Sequence, residues 1–209
     1  MVLKIVLCLL AGYLFGSFST AWMVGKHNNV DLKQCGSGNL GMTNVLRTLG
    51  KKWAAVTLLG DFAKVILPLV FVRNIIFAGE DYCLLMVLYT GFGTVLGHCY
   101  PFWLHFKGGK GVAAMSAVMV VYDPLVAPVG LPIFLLIVLT TKYMSLGSLF
   151  VALLFPVWVT IRSHFIDPNP YYPHMIIVTL CYTVAVFIMH RGNIGRLIAG
   201  EERKIGEKK

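Results

Sequence analysis

Charge is the scarcest property of this 209-residue sequence: 13% of its residues are charged, and only 9 are Asp or Glu. Soluble domains carry roughly 25% charged residues, so a soluble globular fold is excluded. Cysteines are few and scattered. Cys8, Cys35, Cys83, Cys99 and Cys181 form no C-x-x-C pair and have no histidine at metal-ligand spacing, so they imply neither a zinc site nor a disulfide framework. They read as small apolar fillers. Also missing is any polar stretch long enough for a separate soluble domain. One domain is expected over 1–209, with a disordered or surface-lying tail from about 202 to 209.

What is present is apolar surface, with 57% hydrophobic residues and a mean hydropathy of +0.76. Together with 18 Lys and Arg, this describes an all-α polytopic membrane protein whose remaining charge sits in short basic loops. At roughly 20 residues per span, one bundle of six or seven helices fits. The formal net charge of +9 is then loop charge that fixes orientation or meets anionic lipid, and no nucleic-acid partner is expected. Lys4 before an apolar run, with Ser17 and Ser19 after it, has the outline of a signal peptide. Similar runs recur downstream, so a retained first span is expected.

Apolar runs predict spans near 3–24, 53–73, 82–104, 112–141, 144–162 and 174–190. The fourth is too long for one plain crossing and contains Asp123, Pro124, Pro128 and Pro132, which suggests a hinge. If it goes across and back, Lys26, Lys33, Arg47, Lys51, Lys52, Lys107, Lys110, Lys142, Arg191, Arg196, Arg203, Lys204, Lys208 and Lys209 gather on one face. Lys4, Arg73 and Arg162 are left on the other. A single crossing divides the cations almost evenly. The positive-inside rule selects the first arrangement: about seven transmembrane or half-membrane helices, N-terminus outside, C-terminus cytoplasmic. Val112 to Tyr122 is too short for a full bilayer and reads as a half-helix or re-entrant piece.

Three polar, glycine-rich stretches then end on one face. The first is Gly36-Ser37-Gly38-Asn39-Leu40-Gly41-Met42-Thr43-Asn44-Val45-Leu46-Arg47. Its G-x-G-x-x-G pattern lies between membrane spans, so a dinucleotide fold is not expected. Glycine-rich turns can still form anion nests, with Ser37, Asn39, Thr43 and Asn44 as neutral donors and Arg47 as the phosphate-binding charge. The second runs from Gly97 through His98 to Lys107-Gly108-Gly109-Lys110-Gly111, immediately before an apolar helix. Two ammonium groups, a glycine nest and a helix N-terminus can meet one anion there; plain interfacial anchoring by the lysines is the alternative. It is not a nucleotide-binding P-loop, because the spacing and the Ser or Thr after Lys are absent. The third runs from His190 to Glu201 and puts His190 and Asn193 on one helix face, with Arg196 a turn further. Asp61 and Lys64 share a face within the second span, either as a buried pair or as a site floor.

Taken in order, GSGNLGMTNVLR, GHCYPFWLHFKGGKGVA and HRGNIGRLIAGEE, with the Asp61 and Lys64 pair, resemble the signature motifs of the bacterial integral-membrane acyl-phosphate:glycerol-3-phosphate acyltransferase family. The resemblance covers nearly the whole chain. Met42, Ala114 and Val65 stand where that family usually has Ala, Thr and Gly; Met42 narrows the anion loop. The resemblance implies acyl transfer from acyl phosphate to the sn-1 hydroxyl of glycerol 3-phosphate, giving lysophosphatidic acid and phosphate, the first acylation of phospholipid synthesis. It implies a multi-pass protein of the inner membrane with its active site facing the cytoplasm, no metal or organic cofactor, and no obligate protein partner beyond membrane lipid. Ser37, Arg47, Lys110 and His190 are then the expected catalytic residues. Gly36, Gly38, Asn39, Gly41, Thr43, Asn44, His98, Lys107, Gly108, Gly109, Gly111, Asn193, Arg196 and Glu201 are expected to bind substrate. The base stays open among His190, His98 and a substrate phosphate. The His-x4-Asp pattern of acyl-CoA-dependent glycerolipid acyltransferases is absent. A membrane transporter of an organic phosphate is the rival reading, although no internal repeat supports it.

Cysteine-accessibility labelling is expected to place 36–47, 97–111 and 190–201 on one side of the membrane, and reaction of a cysteine at 190 only from the opposite side would break the parity argument.

Overall fold

A chain in lipid must satisfy its backbone internally, so its apolar runs form helices, and any interruption must find new partners for the groups it frees. The computed structural model describes residues 1–205 and is all-helical, with no strand among the described residues. The helices are α1 (Val2–Gly16), α2 (Thr20–His27), α3 (Met42–Leu49), α4 (Lys51–Phe71), α5 (Cys83–Cys99), α6 (Val112–Tyr122), α7 (Ala127–Thr141), α8 (Met144–Thr160), α9 (Tyr172–Met189) and α10 (Arg191–Ile198). Among the described residues, six stretches are long and apolar enough to cross a membrane: Val2–His27, Lys51–Ile76, Cys83–Leu104, Pro124–Thr141, Met144–Ile166 and Tyr172–Met189. The first is longer than the sequence predicts and is broken at residues 17–19, where Ser19 caps α2 by accepting from the Trp22 amide.

The hinge at Asp123–Pro124 is present. Asp123 accepts from the Leu125 amide at 3.1 Å and from Trp158 Nε1 at 3.0 Å, and pairs with Arg162 at 3.3 Å. Arg73 donates to the Val121 carbonyl at the end of α6. Lys4 donates to the Tyr82 hydroxyl at 2.6 Å, next to the start of α5. The three cations assigned to the sparse face therefore share one end of the bundle. At the other end, Lys110 before α6 meets Asn193 in α10, and the Ile205 amide donates to the Lys142 carbonyl after α7. The 112–141 segment thus goes across and back, and α6, with 11 residues, covers roughly half of a ~30 Å core.

Buried residues of α4, α5, α6, α8 and α9 form one core around α6, whose Ala114, Met115, Ala117 and Val118 are fully buried. Helices α1 and α5 cross with backbone against backbone. A Cβ on Gly12 would lie 1.9 Å from the Thr90 carbonyl oxygen, one on Gly93 2.3 Å from that of Leu9, and one on Gly97 2.2 Å from that of Tyr13. Small residues allow such approach in membranes, where packing rather than water exclusion drives association. A second, smaller core of Ala21, Val24, Leu32, Leu40, Val45, Ala54 and Leu104 anchors the 28–50 region.

Gly12→Val is expected to lower the thermal unfolding midpoint in detergent, with overpacking that costs about 1–3 kcal/mol, because the obstructing atoms are backbone. An unchanged midpoint would contradict the tight crossing.

Candidate active site

The 36–47 stretch is held by Asn44. Its side-chain amide donates to the Leu32 and Cys35 carbonyls at 3.0 and 3.1 Å, and its oxygen accepts from the Ser37 amide at 2.8 Å. The turn requires positive φ at Gly36 (57°) and Gly38 (69°). Asn44 therefore braces the loop instead of facing a ligand as expected. Ser37 is exposed, Asn39, Gly41 and Thr43 are half-buried, and Arg47 projects from the exposed side of α3. Helix α3 opens at Met42, where the first amides have no intrahelical acceptor.

The 105–111 loop departs from the nest expected of its glycines. The Gly108 and Gly109 amides donate to the Cys99 and His98 carbonyls, both at 3.0 Å, so neither is open to an anion. These glycines are needed for space: a Cβ on Gly108 would lie 2.1 Å from the His98 carbonyl oxygen, and one on Gly109 2.0 Å from His98 Nε2. Gly111, at φ 84°, turns the chain into α6. Lys107 is exposed, whereas Lys110 is half-buried and donates to Asn193 Oδ1.

Asn193 in turn donates to Glu202 Oε1 at 2.6 Å. The same carboxylate accepts from Ser145 at 2.9 Å and from Arg196 Nε at 2.8 Å. Glu202 is buried, while residues 206–209 of the tail expected from about 202 lie outside the described residues. The expected acidic site residue, Glu201, is exposed. Gly200, at φ 72°, reverses the chain after α10 and brings Glu202 rather than Glu201 inward. Two adjacent glutamates gave no periodic signal to choose between them, and Ser145, at the start of α8, had no motif around it. Arg203 donates to the Gly36 carbonyl at 2.8 Å, which ties the third stretch to the first.

Burial pushes Lys110 from its ordinary 10.5 down to about 8. The Glu202 carboxylate opposes this, while the positive charges of Arg196 and Arg47 add to it. That mutual influence joins residues from all three stretches. His190 is buried and pushed down to about 4 by that burial, with Lys110 adding to the effect, so it is neutral near pH 7. Its Nδ1 lies 2.8 Å from the Val186 carbonyl, which can only accept; Nδ1 therefore carries the proton and Nε2 keeps its lone pair. Glu202 is held below its usual value despite burial, through hydrogen bonds from Asn193, Ser145 and Arg196.

His98, a candidate ligand and base in the sequence, lies beneath the loop. Its Nδ1 is 2.9 Å from Lys64 Nζ, and Lys64 also bonds Asp61 Oδ1 at 2.9 Å and the Phe18 carbonyl at 2.6 Å. Asp61 accepts from Thr20 at 3.2 Å. The Asp61 and Lys64 pair is thus buried below the 105–111 loop and is engaged within the protein.

An all-helical membrane bundle, with Arg47, Lys110 and Arg196 near one end and Glu202 among them, defines the class: an integral membrane protein with a cluster of cations around a carboxylate at one end. Residues 6–200 match the glycerol-3-phosphate acyltransferase family, and the chain belongs to that family. It is 37% identical to a glycerol-3-phosphate acyltransferase of Trichlorobacter lovleyi, over 92% of this chain and 93% of the relative. It is also 37% identical to one of Clostridioides difficile, over 100% and 98%. Its fold is similar to a crystal structure of an integral membrane glycerol 3-phosphate acyltransferase in the glycerol 3-phosphate form. The TM-score is 0.83 and the identity 31%, with 97% of this chain and 96% of that one covered. The lysophosphatidic acid form gives a TM-score of 0.81 at 32% identity, covering 97% and 95%.

Affinity for inorganic phosphate is expected to fall as pH rises through about 8, where Lys110 loses its proton. Glu202→Gln removes the charge that holds that proton, so the alkaline limb should move to lower pH. Calorimetric titration across pH 6–10 checks this, and a limb that stays fixed or moves upward would contradict the assignment.

Proposed function

We propose that the protein transfers a fatty acyl group from acyl phosphate to the sn-1 hydroxyl of glycerol 3-phosphate at the cytoplasmic face of the inner membrane. The products are lysophosphatidic acid and inorganic phosphate, the first acylation of phospholipid synthesis. The observation that carries this reading is the junction of Lys110, Asn193 and Glu202, with the charges of Arg47 and Arg196 acting on Lys110. Family membership supports the acceptor, since the similar crystal structures are named for their glycerol 3-phosphate and lysophosphatidic acid forms.

The chemistry asks little of the protein beyond placement and charge. Acyl phosphate is a mixed anhydride, so the sn-1 oxygen attacks its carbonyl carbon, the bond from that carbon to the phosphate oxygen breaks, and phosphate leaves with the electron pair. Arg47 and Lys110 offset charge on the phosphates and on the leaving oxygen. Asn193 and His190 orient glycerol 3-phosphate, and the hydroxyl proton goes to His190 Nε2 or to a substrate phosphate oxygen. Ser37 contributes a donor at the rim; its exposure and the absence of a neighbouring base in its motif argue against an acyl-serine intermediate. The acyl tail remains among apolar helix faces.

Purified protein supplied with acyl phosphate and glycerol 3-phosphate is expected to release lysophosphatidic acid and phosphate in equal amounts. Activity with acyl-CoA alone would refute the donor, and passage of glycerol 3-phosphate across vesicles without product would favour a transporter. Arg47→Ala and Lys110→Ala should each lower turnover by roughly 100-fold or more while the protein remains folded; full activity in both would remove the anion site.

A further inference from the structure

The buried polar network under the 105–111 loop is built around the Lys64 ammonium. An ammonium has three donors, and Lys64 directs them to Asp61 Oδ1, the Phe18 carbonyl and His98 Nδ1. Because Lys64 can only donate, His98 Nδ1 accepts, and the ring is fixed with its Nε2 edge against Gly109. That contact is close enough for a single added Cβ at 109 to lie 2.0 Å from Nε2, with the ring's Cδ2 and Cε1 at 2.8 and 2.9 Å. The three atoms nearest to a Cβ added at 109 all belong to the His98 ring. The next residue in the chain is Lys110. A continuous line of contacts therefore runs from the break between α1 and α2, through α4 and α5, to the backbone that carries the site's ammonium.

We propose that Asp61, Lys64 and His98 are positioning residues for Lys110, which act through the backbone of Gly109 and make no contact with substrate. The inference rests on the reading that Lys110 receives a substrate phosphate. It assigns His98 neither the ligand nor the base role open to it from sequence. The helix break at 17–19 gains a purpose too: an intact helix would use the Phe18 carbonyl internally, and Lys64 would lose one of its three acceptors.

The test uses the full-length protein in detergent, with hydrogen exchange, inorganic phosphate titration and steady-state turnover on the same variants. Asp61→Asn combined with Lys64→Met removes the ammonium without leaving a lone buried carboxylate, and His98→Ala removes the ring. Both are expected to speed exchange at the Gly108 and Gly109 amides at least tenfold, with the α1 and α5 amides unchanged. Both should move the alkaline limb of phosphate affinity upward from about 8 as the loosened Lys110 regains water. Turnover should fall by roughly 100-fold, the scale set by an ångström of misplacement. His98→Gln, which keeps an acceptor for Lys64, should recover at least tenfold over His98→Ala.

The decisive comparison is the double variant Gly109→Ala with His98→Ala. If the ring acts through residue 109, the double variant loses no more than threefold beyond the worse single one. Multiplying losses, unchanged loop exchange, or an alkaline limb that stays at about 8 in His98→Ala would each overturn the proposal. Should the parent protein turn over no acyl phosphate, exchange and phosphate affinity still decide the positioning claim, so the two failures are distinguishable. Lys4→Met, at the far end of the bundle, is the control expected to match the parent in every readout.

Discussion

The constraint on which the architecture depends is that a helix broken inside a membrane must rehouse the backbone groups it frees. This chain breaks its helices at 17–19 and at Asp123, and long polar side chains from other helices supply the partners. The Ser17 carbonyl accepts from Trp103 Nε1 at 2.7 Å, and the Phe18 carbonyl from Lys64. At the second break, Arg73 takes the Val121 carbonyl and Arg162 meets Asp123. The ionisable residues inside the bundle are thus explained by the interruptions they heal. The second break ends α6 beside Arg73 and Arg162, while its N-terminus follows Lys110 at the end where the other two polar stretches lie.

Glycine serves this structure more through absent volume than through exposed amides. In the 105–111 loop, the amides that a nest would offer are bonded back to α5, and the missing side chains let the loop lie directly on His98 and Pro101. The same economy of space operates at the α1 and α5 crossing. In the 36–47 loop, Gly36 and Gly38 supply backbone conformations instead, and a Cβ on Gly36 would lie 2.3 Å from Asn44 Oδ1. The positive charge at this end of the bundle accordingly comes from Arg47, Lys110 and Arg196, whose charges act on one another.

Much of the fold was legible because membranes impose a coarse code. Apolar runs gave the spans, and the lopsided distribution of lysine and arginine required the 112–141 segment to return to its starting face, as Lys110 and Lys142 show in space. The break at 17–19 was harder to see, since Ser17 and Ser19 interrupt hydropathy only slightly and the Phe18 carbonyl carries no sequence signal. The polar cluster that joins Lys110, Asn193 and Arg196, with the charge of Arg47 acting on it, is made of residues that stand out in sequence as charge and amide at the ends of helices. His98 and Asn44 are engaged within the protein, by Lys64 and by loop backbone respectively, which sequence does not show because a polar residue near a loop looks the same whether it faces a ligand or a neighbour. Which of Glu201 and Glu202 turns inward is a register that the turn at Gly200 decides.

A carboxylate at the centre of a cluster of cations is what the electrostatics require. Burial alone drives Lys110 toward neutrality, and Arg196 and Arg47 push it further the same way. Without an opposing charge, gathering three cations would discharge the most buried of them. Glu202 counters this by holding Asn193 and Arg196 in place and by favouring the protonated lysine. Its own lone pairs are engaged by Asn193, Ser145 and Arg196, so little of its charge is presented to an incoming phosphate. The result is a site with net positive charge whose central ammonium stays mostly protonated at neutral pH while remaining partly desolvated, the condition in which a single charge acts most strongly on a phosphate.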